Sequence, residues 1–468
     1  MVPDSVLRNS VSWLLGVLAG DVAAEEATAG FAPRLTEGRD LVGALAKRFA
    51  AFGGQPADVV SFERVGPAKA RAVVVCQGRE WEFTVAVEAA QPHRIAAFQP
   101  RAVPSDAVPW PDIVDRLRGL DHRTSELPEA VAARVHERLL EAVQADRVAG
   151  LCCGVIVDAQ VVHREYVGTA DVRTFEALDD AAVFRVGSVT KLVTAYAVLD
   201  LVEEGMLELT APLTAFAPGG VEATVEDLLL HRAGLPKDLL GRRGAVALPG
   251  TLAEAVTLVK PAWPVGERTE YSSLGYELLG LLVEQVAGEE FAGWCARRVL
   301  GRFGMAGARL GGVGAEAGAG AGAGVGAGRD VDRHAPSSVI GTEVVIGKVA
   351  PVTEPADPYR AAGGMTADLP SVLALAQSLS RTGDPIVRRL RAHSVDAGPG
   401  VRFVPGGAIV EREPGPVFWR GGSTRGFTAE IVAAGDGSAA VVLLGAATPA
   451  PGLRAAAEDL VRMVVGAG

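Results

Sequence analysis

The feature that most restricts this chain is where its two hydrophobic periods fall. From about residue 400 the stretches RFVPGGAIVE, PVFWRGG, FTAEIVAAG and SAAVVLLGAA alternate in period two, as strands with one buried face do. Two more strand-like runs lie near 149–157 and 160–167, while residues 188 to about 300 are mainly helical in pattern. A last helix, GLRAAAEDLVRMVVG, closes the chain. Early strands, a helical middle and late strands predict one mixed sheet assembled from both ends of a domain, with helices packed on it. That is an α+β architecture.

The 468 residues exceed what one ordinary core accommodates. Residues 1–105 read as a separate α+β unit, helical over roughly 5–20 and 37–52, then three strands, ARAVVVCQ, REWEFTVAVEA and HRIAAFQP. This order resembles the small nuclear-transport-factor-2-like or cystatin-like domains. Without an acid–histidine pair in it, a structural or docking role is expected. The Pro-rich stretch PRAVPSDAVPWPD places a linker at 106–124. The second domain, 125–468, then begins with a helix that Ser125 is placed to cap. Residues 311–328 are Gly/Ala-rich and predict a flexible loop, lacking the GK[ST] ending of a phosphate loop.

The net charge of −11 and pI near 5.3, with no basic stripe in any segment, exclude a nucleic-acid partner. No run reaches the roughly 18 apolar residues needed to span a bilayer. The short apolar run near the start follows Asp4 and precedes no cleavage site, so a helix of a folded domain and a cytoplasmic location are expected. Cys76, Cys152, Cys153 and Cys295 have neither disulfide nor metal spacing and read as small buried hydrophobes. Oligomeric state is not legible.

Chemistry points to FRVGSVTKLVTA, 184–195, where Ser188 and Lys191 stand three apart as a turn becomes a helix. At that spacing both side chains share the first turn's face, where unpaired N–H groups favour developing negative charge. A serine becomes a nucleophile only with a base, and a lysine serves only if its pKa is lowered. The alternative is an N-cap serine beside a surface lysine. S-x-x-K arises by chance roughly one time in five at this composition, so the stretch alone leaves both open.

Four further stretches stand in order: TVEDLLLHRAGLP (224–236), YSSLGYELLG (271–280), YRAAGGMTADLPSVLALAQSL (359–379) and FWRGGSTRGFTAEIVA (418–433). With the nucleophile helix they resemble, over 128–466, the serine β-lactamase and penicillin-binding-protein superfamily, nearest its class C β-lactamase, DD-carboxypeptidase and esterase branch. The resemblance implies a β-lactamase/transpeptidase-like domain: an antiparallel sheet with helices on both faces plus a helical region. It implies Ser188 as nucleophile, Lys191 as proton acceptor and Tyr271 as a partner in proton transfer. The N–H groups of Ser188 and Ser423 would form the oxyanion hole, with Gly421 and Gly422 leaving room for an acyl group against the strand. No metal or organic cofactor is implied.

Two positions depart from the pattern: Ser273 replaces the common asparagine, and Arg420 the lysine or histidine. Arginine keeps the charge but cannot give up a proton. The expected activity is a serine hydrolase acting through a Ser188 acyl-enzyme on a small ester, lactone or amide. The alternatives are a β-lactamase or DD-peptidase, an acyltransferase, and a silent ligand-binding relative. His231 reads as a structural anchor of its turn. His122, His136, His163 and His393 lack metal spacing, Arg425 borders the pocket mouth or is solvated, Trp419 packs, and Glu203 and Glu204 form a solvated helix face.

Overall fold

The computed structural model describes residues 2–37, 40–49, 52, 55, 57–241, 244–245, 248–311, 339–340, 342–345, 348–352, 359–380 and 383–466. It divides into two units, Met1–Pro109 with Val345–Ala350, and Trp110–Val344 with Pro351–Gly468. The expected loop at 311–328 falls, after its first residue, outside the described residues.

In the first unit, helix α1 (Asp4–Ala19) buries Leu7, Val11, Leu14 and Leu18, the i, i+4, i+7, i+11 stripe of an amphipathic helix. Helix α2 (Leu41–Arg48) is shorter than predicted because Asp40 starts it, accepting the Gly43 N–H at 2.8 Å. The stripe of α1 joins Phe31, Phe52, Val74, Phe83 and Val85 in one core. The sheet is an antiparallel meander of β1 (Ala57–Gly66), β2 (Lys69–Cys76), β3 (Arg79–Val87) and β4 (Ile95–Ala102). Sequence reasoning missed β1, an edge strand whose Val59 and Val60 are exposed and whose pattern does not alternate.

The second unit begins where a linker was expected. Residues 110–117 form helix α3 (Trp110–Leu117), burying Trp110, Ile113 and Leu117, and His122–Ser125 form strand β5. Pro111 falls in the first helical turn, where no N–H is needed, so prolines that read as a linker in fact mark a helix start. Helix α4 (Glu129–Asp146) starts after Pro128 with no side-chain cap, and Ser125 instead ends β5, its Oγ accepting the Leu127 N–H at 3.2 Å.

The predicted sheet from both ends exists, but every pairing in it is antiparallel rather than mixed. Its strands are β5, β6 (Gly150–Val157), β7 (Gln160–Gly168), β9 (Val395–Gly398), β10 (Val401–Val404), β11 (Gly407–Val410), β12 (Val417–Thr424), β13 (Phe427–Ala434) and β14 (Ala439–Gly445). A short strand between the two groups, β8 (Met365–Ala367), pairs elsewhere, with Phe184–Arg185. Among the described residues the order is β9-β10-β11-β12-β13-β14-β6-β7-β5, so β14 against β6 closes the sheet across nearly 290 residues of sequence. Helices cover both faces. A Cβ on Gly154 of β6 would meet Leu373 of α8 (Leu369–Ser378), and one on Gly445 of β14 would meet Leu453 of the last helix, α10 (Gly452–Val465). Gly154 pairs with Val442, three residues from Gly445, so the two glycines face opposite ways.

The helical middle holds α5 (Thr190–Glu203), α6 (Val225–Leu229) and α7 (Ser273–Ala287), with α9 (Pro385–Ala392) packing on α5 from the late part of the chain. Every residue of α5 from Thr190 to Leu201 is buried. A helix covered on all sides leaves no solvent for its one lysine.

Candidate active site

Gly187 turns the chain into α5 with φ of +50°, and a Cβ there would come within 3.0 Å of Ser423 N. The backbone at this turn is both left-handed and pressed against β12, and only glycine satisfies both conditions. Thr190 locks the turn: its hydroxyl donates to Gly187 O at 2.6 Å and accepts the Met365 N–H at 3.1 Å. Ser188 follows, partly exposed.

One turn on, Lys191 is fully buried. Its Nζ donates to Ser188 Oγ at 3.1 Å, Ser273 Oγ at 3.3 Å and Ala362 O at 2.7 Å. Desolvation, assisted by the positive charge of Arg420, pushes its pKa below the ordinary lysine range against the pull of Tyr271 and Glu277. The solvated-lysine alternative is therefore excluded.

Tyr271 precedes α7, and its hydroxyl donates to Ser188 Oγ at 2.8 Å. Its ring centroid lies 4.9 Å from Lys191 Nζ and 5.6 Å from the Arg420 guanidinium carbon. Burial alone would raise the phenol, but the Lys191 and Arg420 charges bring it down to about 8. Two neighbours fix this segment. Ser272 caps α7, accepting the Gly275 N–H and donating to Pro236 O at 2.7 Å. His231 accepts the Ser272 N–H on Nδ1 at 3.1 Å and the Glu270 N–H on its carbonyl at 3.0 Å, and packs on Tyr271, Tyr276 and Phe403. Burial, with the Lys191 and Arg420 charges, pushes the imidazole well below its usual pKa. It is the expected structural anchor, kept neutral.

The AGG turn expected from sequence threads between α5 and α7. Ala361 O accepts the Thr194 hydroxyl at 2.6 Å, and Ala362 O accepts Lys191. A Cβ on Gly280 would come within 2.4 Å of Ala361 Cβ, so the glycine forms the notch that seats the turn.

Strand β12 supplies the last wall. Arg420 is 5% exposed and its Nε has no hydrogen-bond partner among the described residues. β11 pairs only with Val417–Trp419, so beyond Trp419 that edge of β12 has no strand partner among the described residues. The glycines differ from expectation. A Cβ on Gly422 would lie 2.0 Å from Val186 O and 3.0 Å from Ser188 N, so Gly422 lets strand and nucleophile turn touch. Gly421 faces Glu430 and Trp419 instead, because alternate residues of a strand point to opposite faces. A side chain at either position would run into these neighbours. Ser423, exposed, presents its N–H beside Gly187.

The structure thus gathers Ser188, Lys191, Tyr271 and Ser273 within hydrogen-bonding range, with Arg420, Gly422 and Ser423 beside them. Sequence reasoning overlooked Glu277 and Phe403, and gave Ala362 only as part of a turn. Glu277 carried a signal, as an acid inside the helix after the tyrosine motif. Elsewhere, His136 and His163 both hydrogen-bond Glu165. Trp419 packs and donates to Glu430 at 2.7 Å. Arg425 pairs with Glu343 at 3.0 Å. Glu203 and Glu204 are ion-paired to Arg389 and Arg298 rather than merely solvated. All four cysteines are buried, with no disulfide among the described residues.

The fold, an antiparallel sheet between helical layers, is shared with a penicillin-binding protein homologue, a hydrolase and an amidase of known structure. The octameric penicillin-binding protein homologue from Pyrococcus abyssi superposes with a TM-score of 0.59 at 22% identity, over 72% of this chain and 77% of that one. EstCE1, a hydrolase with promiscuous acyltransferase activity, gives 0.57 at 19% identity over 71% and 98%. D-amino acid amidase from Ochrobactrum anthropi SV3 gives 0.57 at 19% over 72% and 98%. Residues 136–466 match the beta-lactamase family model, and the chain belongs to that family. Curated relatives include esterase EstB of Burkholderia gladioli, 29% identical over 35% of this chain and 47% of its own length. The putative penicillin-binding protein PbpX of Bacillus subtilis (strain 168) is 26% identical over 33% of this chain and 39% of its own. The chain thus spans less than half the length of these curated relatives.

Proposed function

We propose that this protein is a serine hydrolase that acts on a small ester, lactone or amide through an acyl-enzyme on Ser188. One observation carries the reading: Ser188 Oγ lies 3.1 Å from Lys191 Nζ and 2.8 Å from Tyr271 Oη, inside a site where both pKa values are lowered. With either partner deprotonated, the hydrogen bond reverses and Ser188 donates. Its oxygen attacks the carbonyl as the proton passes to that partner. The Ser188 and Ser423 N–H groups take the developing oxyanion, and the proton returns to the leaving oxygen or nitrogen. Water then repeats the sequence on the acyl-enzyme.

Ester over β-lactam is favoured by Ser273. Its hydroxyl accepts from Lys191 at 3.3 Å and is too short to offer the amide that asparagine would present to a substrate amide. The esterase among the curated relatives supports the same choice. A cytoplasmic setting is part of the reading, supported by four buried cysteines that form no disulfide among the described residues. For the first unit we keep a structural or docking role, in the manner of nuclear-transport-factor-2-like or cystatin-like modules.

The test is intact mass after incubation with a panel of p-nitrophenyl acyl esters and a chromogenic cephalosporin. The expected result is an acyl adduct from the esters that Ser188→Ala abolishes, with no opening of the lactam. Absence of any adduct from wild type would leave a ligand-binding relative.

A further inference from the structure

An ammonium has three N–H donors, and Lys191 faces three acceptors: Ser188 Oγ, Ser273 Oγ and Ala362 O. Ala362 O is the closest, at 2.7 Å, and it is backbone, so wherever that loop residue stands, the amine follows. The same residue is gripped from its other side: its N–H donates to Glu277 Oε1 at 2.6 Å. Glu277 stands one turn after Ser273 on α7, only 4% exposed. Burial pushes its carboxyl above the ordinary glutamate range, opposed by the Ala362 and Arg360 N–H groups it accepts and by the charges of Arg360 and Lys191. A buried carboxylate is costly unless it is hydrogen-bonded and paired. Here its hydrogen-bond partners are backbone N–H groups of the loop that holds the amine.

We infer that Glu277 is a positioning residue for acyl transfer: through Ala362 it aims the Lys191 amine at Ser188, and its charge helps decide whether that amine keeps its proton. This rests on the proposed acyl-enzyme chemistry at Ser188. Two influences oppose each other at Lys191. Glu277 on α7 and the Tyr271 phenol before it favour the ammonium. Arg420 from β12 and burial favour the free amine. Tyr276 on α7 presents its ring 5.8 Å from the amine, and His231 completes the surroundings as a neutral group. Arg360, facing Glu277, is tied to Glu284 at 3.4 Å. Glu277 and Arg420 therefore act as opposed charges on one amine.

The test compares Glu277→Gln with Glu277→Ala in the full chain. Gln keeps an oxygen for the Ala362 N–H and drops the charge, whereas Ala drops both. Lysine labelled with ¹³C and ¹⁵N in the side chain gives only six signals, of which Lys191 is assigned by its loss in Lys191→Arg. In Glu277→Gln the Lys191 titration midpoint moves to lower pH, and the limb of the ester kcat profile that reports this amine moves with it. In Glu277→Ala kcat falls about tenfold or more, with KM within about threefold, since the amine is no longer aimed. A purely structural tie predicts an unmoved midpoint in Glu277→Gln. That result, together with an unaltered kcat in Glu277→Ala, overturns the inference while ester turnover by wild type leaves the hydrolase standing. A moved midpoint in a protein that never acylates would instead uphold the coupling to Lys191 and remove the hydrolase.

Discussion

Replacing Arg420 by methionine removes one of the two cations that make the Tyr271 phenol acidic. The guanidinium carbon is 5.6 Å from the ring centroid. At an effective dielectric constant near 20, a unit charge at that distance contributes about 3 kcal/mol, or about two pK units, as an upper figure. Tyr271 is partly exposed, and screening halves this to about one unit. Losing a cation raises an acid's pKa, so the midpoint should climb from about 8 toward about 9. At pH 7 the phenolate fraction then falls about tenfold, and the ester rate with it. Phenolate absorbance measures the midpoint directly. Of the five tyrosines, Tyr166, Tyr196 and Tyr276 are pushed above the ordinary range by burial, so Tyr271 titrates ahead of them. The pH–rate profile for a p-nitrophenyl ester should shift by the same amount, and Arg420→Lys should shift it less. A folded Arg420→Met protein whose phenol still titrates near 8 would refute this account of the site's electrostatics.

Two other substitutions probe the frame. Gly422→Ala places a methyl 2.0 Å from Val186 O, so β12 and the nucleophile turn must part; a cost of about 1–3 kcal/mol in calorimetry should accompany a kcat loss of about tenfold, and a protein with unchanged Tm would contradict the close approach. His231, neutral when folded, opposes acid: the unfolded chain binds its proton as pH drops below the usual 6.5 while the folded chain does not. Stability supplied by the neutral form is therefore complete above 6.5 and declines below it by up to about 1.4 kcal/mol per pH unit. The difference between wild type and His231→Asn in denaturant titrations at pH 7 and 5.5 isolates that slope, and parallel losses in both proteins would dismiss it.

Much of the site was legible because its chemistry is concentrated in short local patterns. Ser188 and Lys191 share one helical turn, but only the packed helix showed that the lysine is buried. Tyr271 and Ser273 precede and open a helix whose cap, Ser272, is a sequence signal in itself. The tail gave its strands through runs of apolar, β-branched residues, although β13 and β14 are buried on both faces and only β12 alternates. What misled were signals with two physical meanings. The proline at 111 suits a linker and also a first helical turn. Adjacent glycines suit a substrate groove and also a close backbone contact, and Gly422 serves the contact.

The amino-acid order by itself determined the strand and helix periods, the pairing of nucleophile with amine, and membership of a fold whose elements recur in fixed succession. Only tertiary structure decided which charges meet. Arg420 lies 149 residues beyond Tyr271 in sequence yet 5.6 Å from its ring, and Glu277 reaches Lys191 through a backbone residue of a third segment. Acidity depends on distance and on exclusion of water. Both are set when β14 closes against β6 and the loop bearing Ala362 is drawn between two helices, and neither is written in any single stretch of the chain.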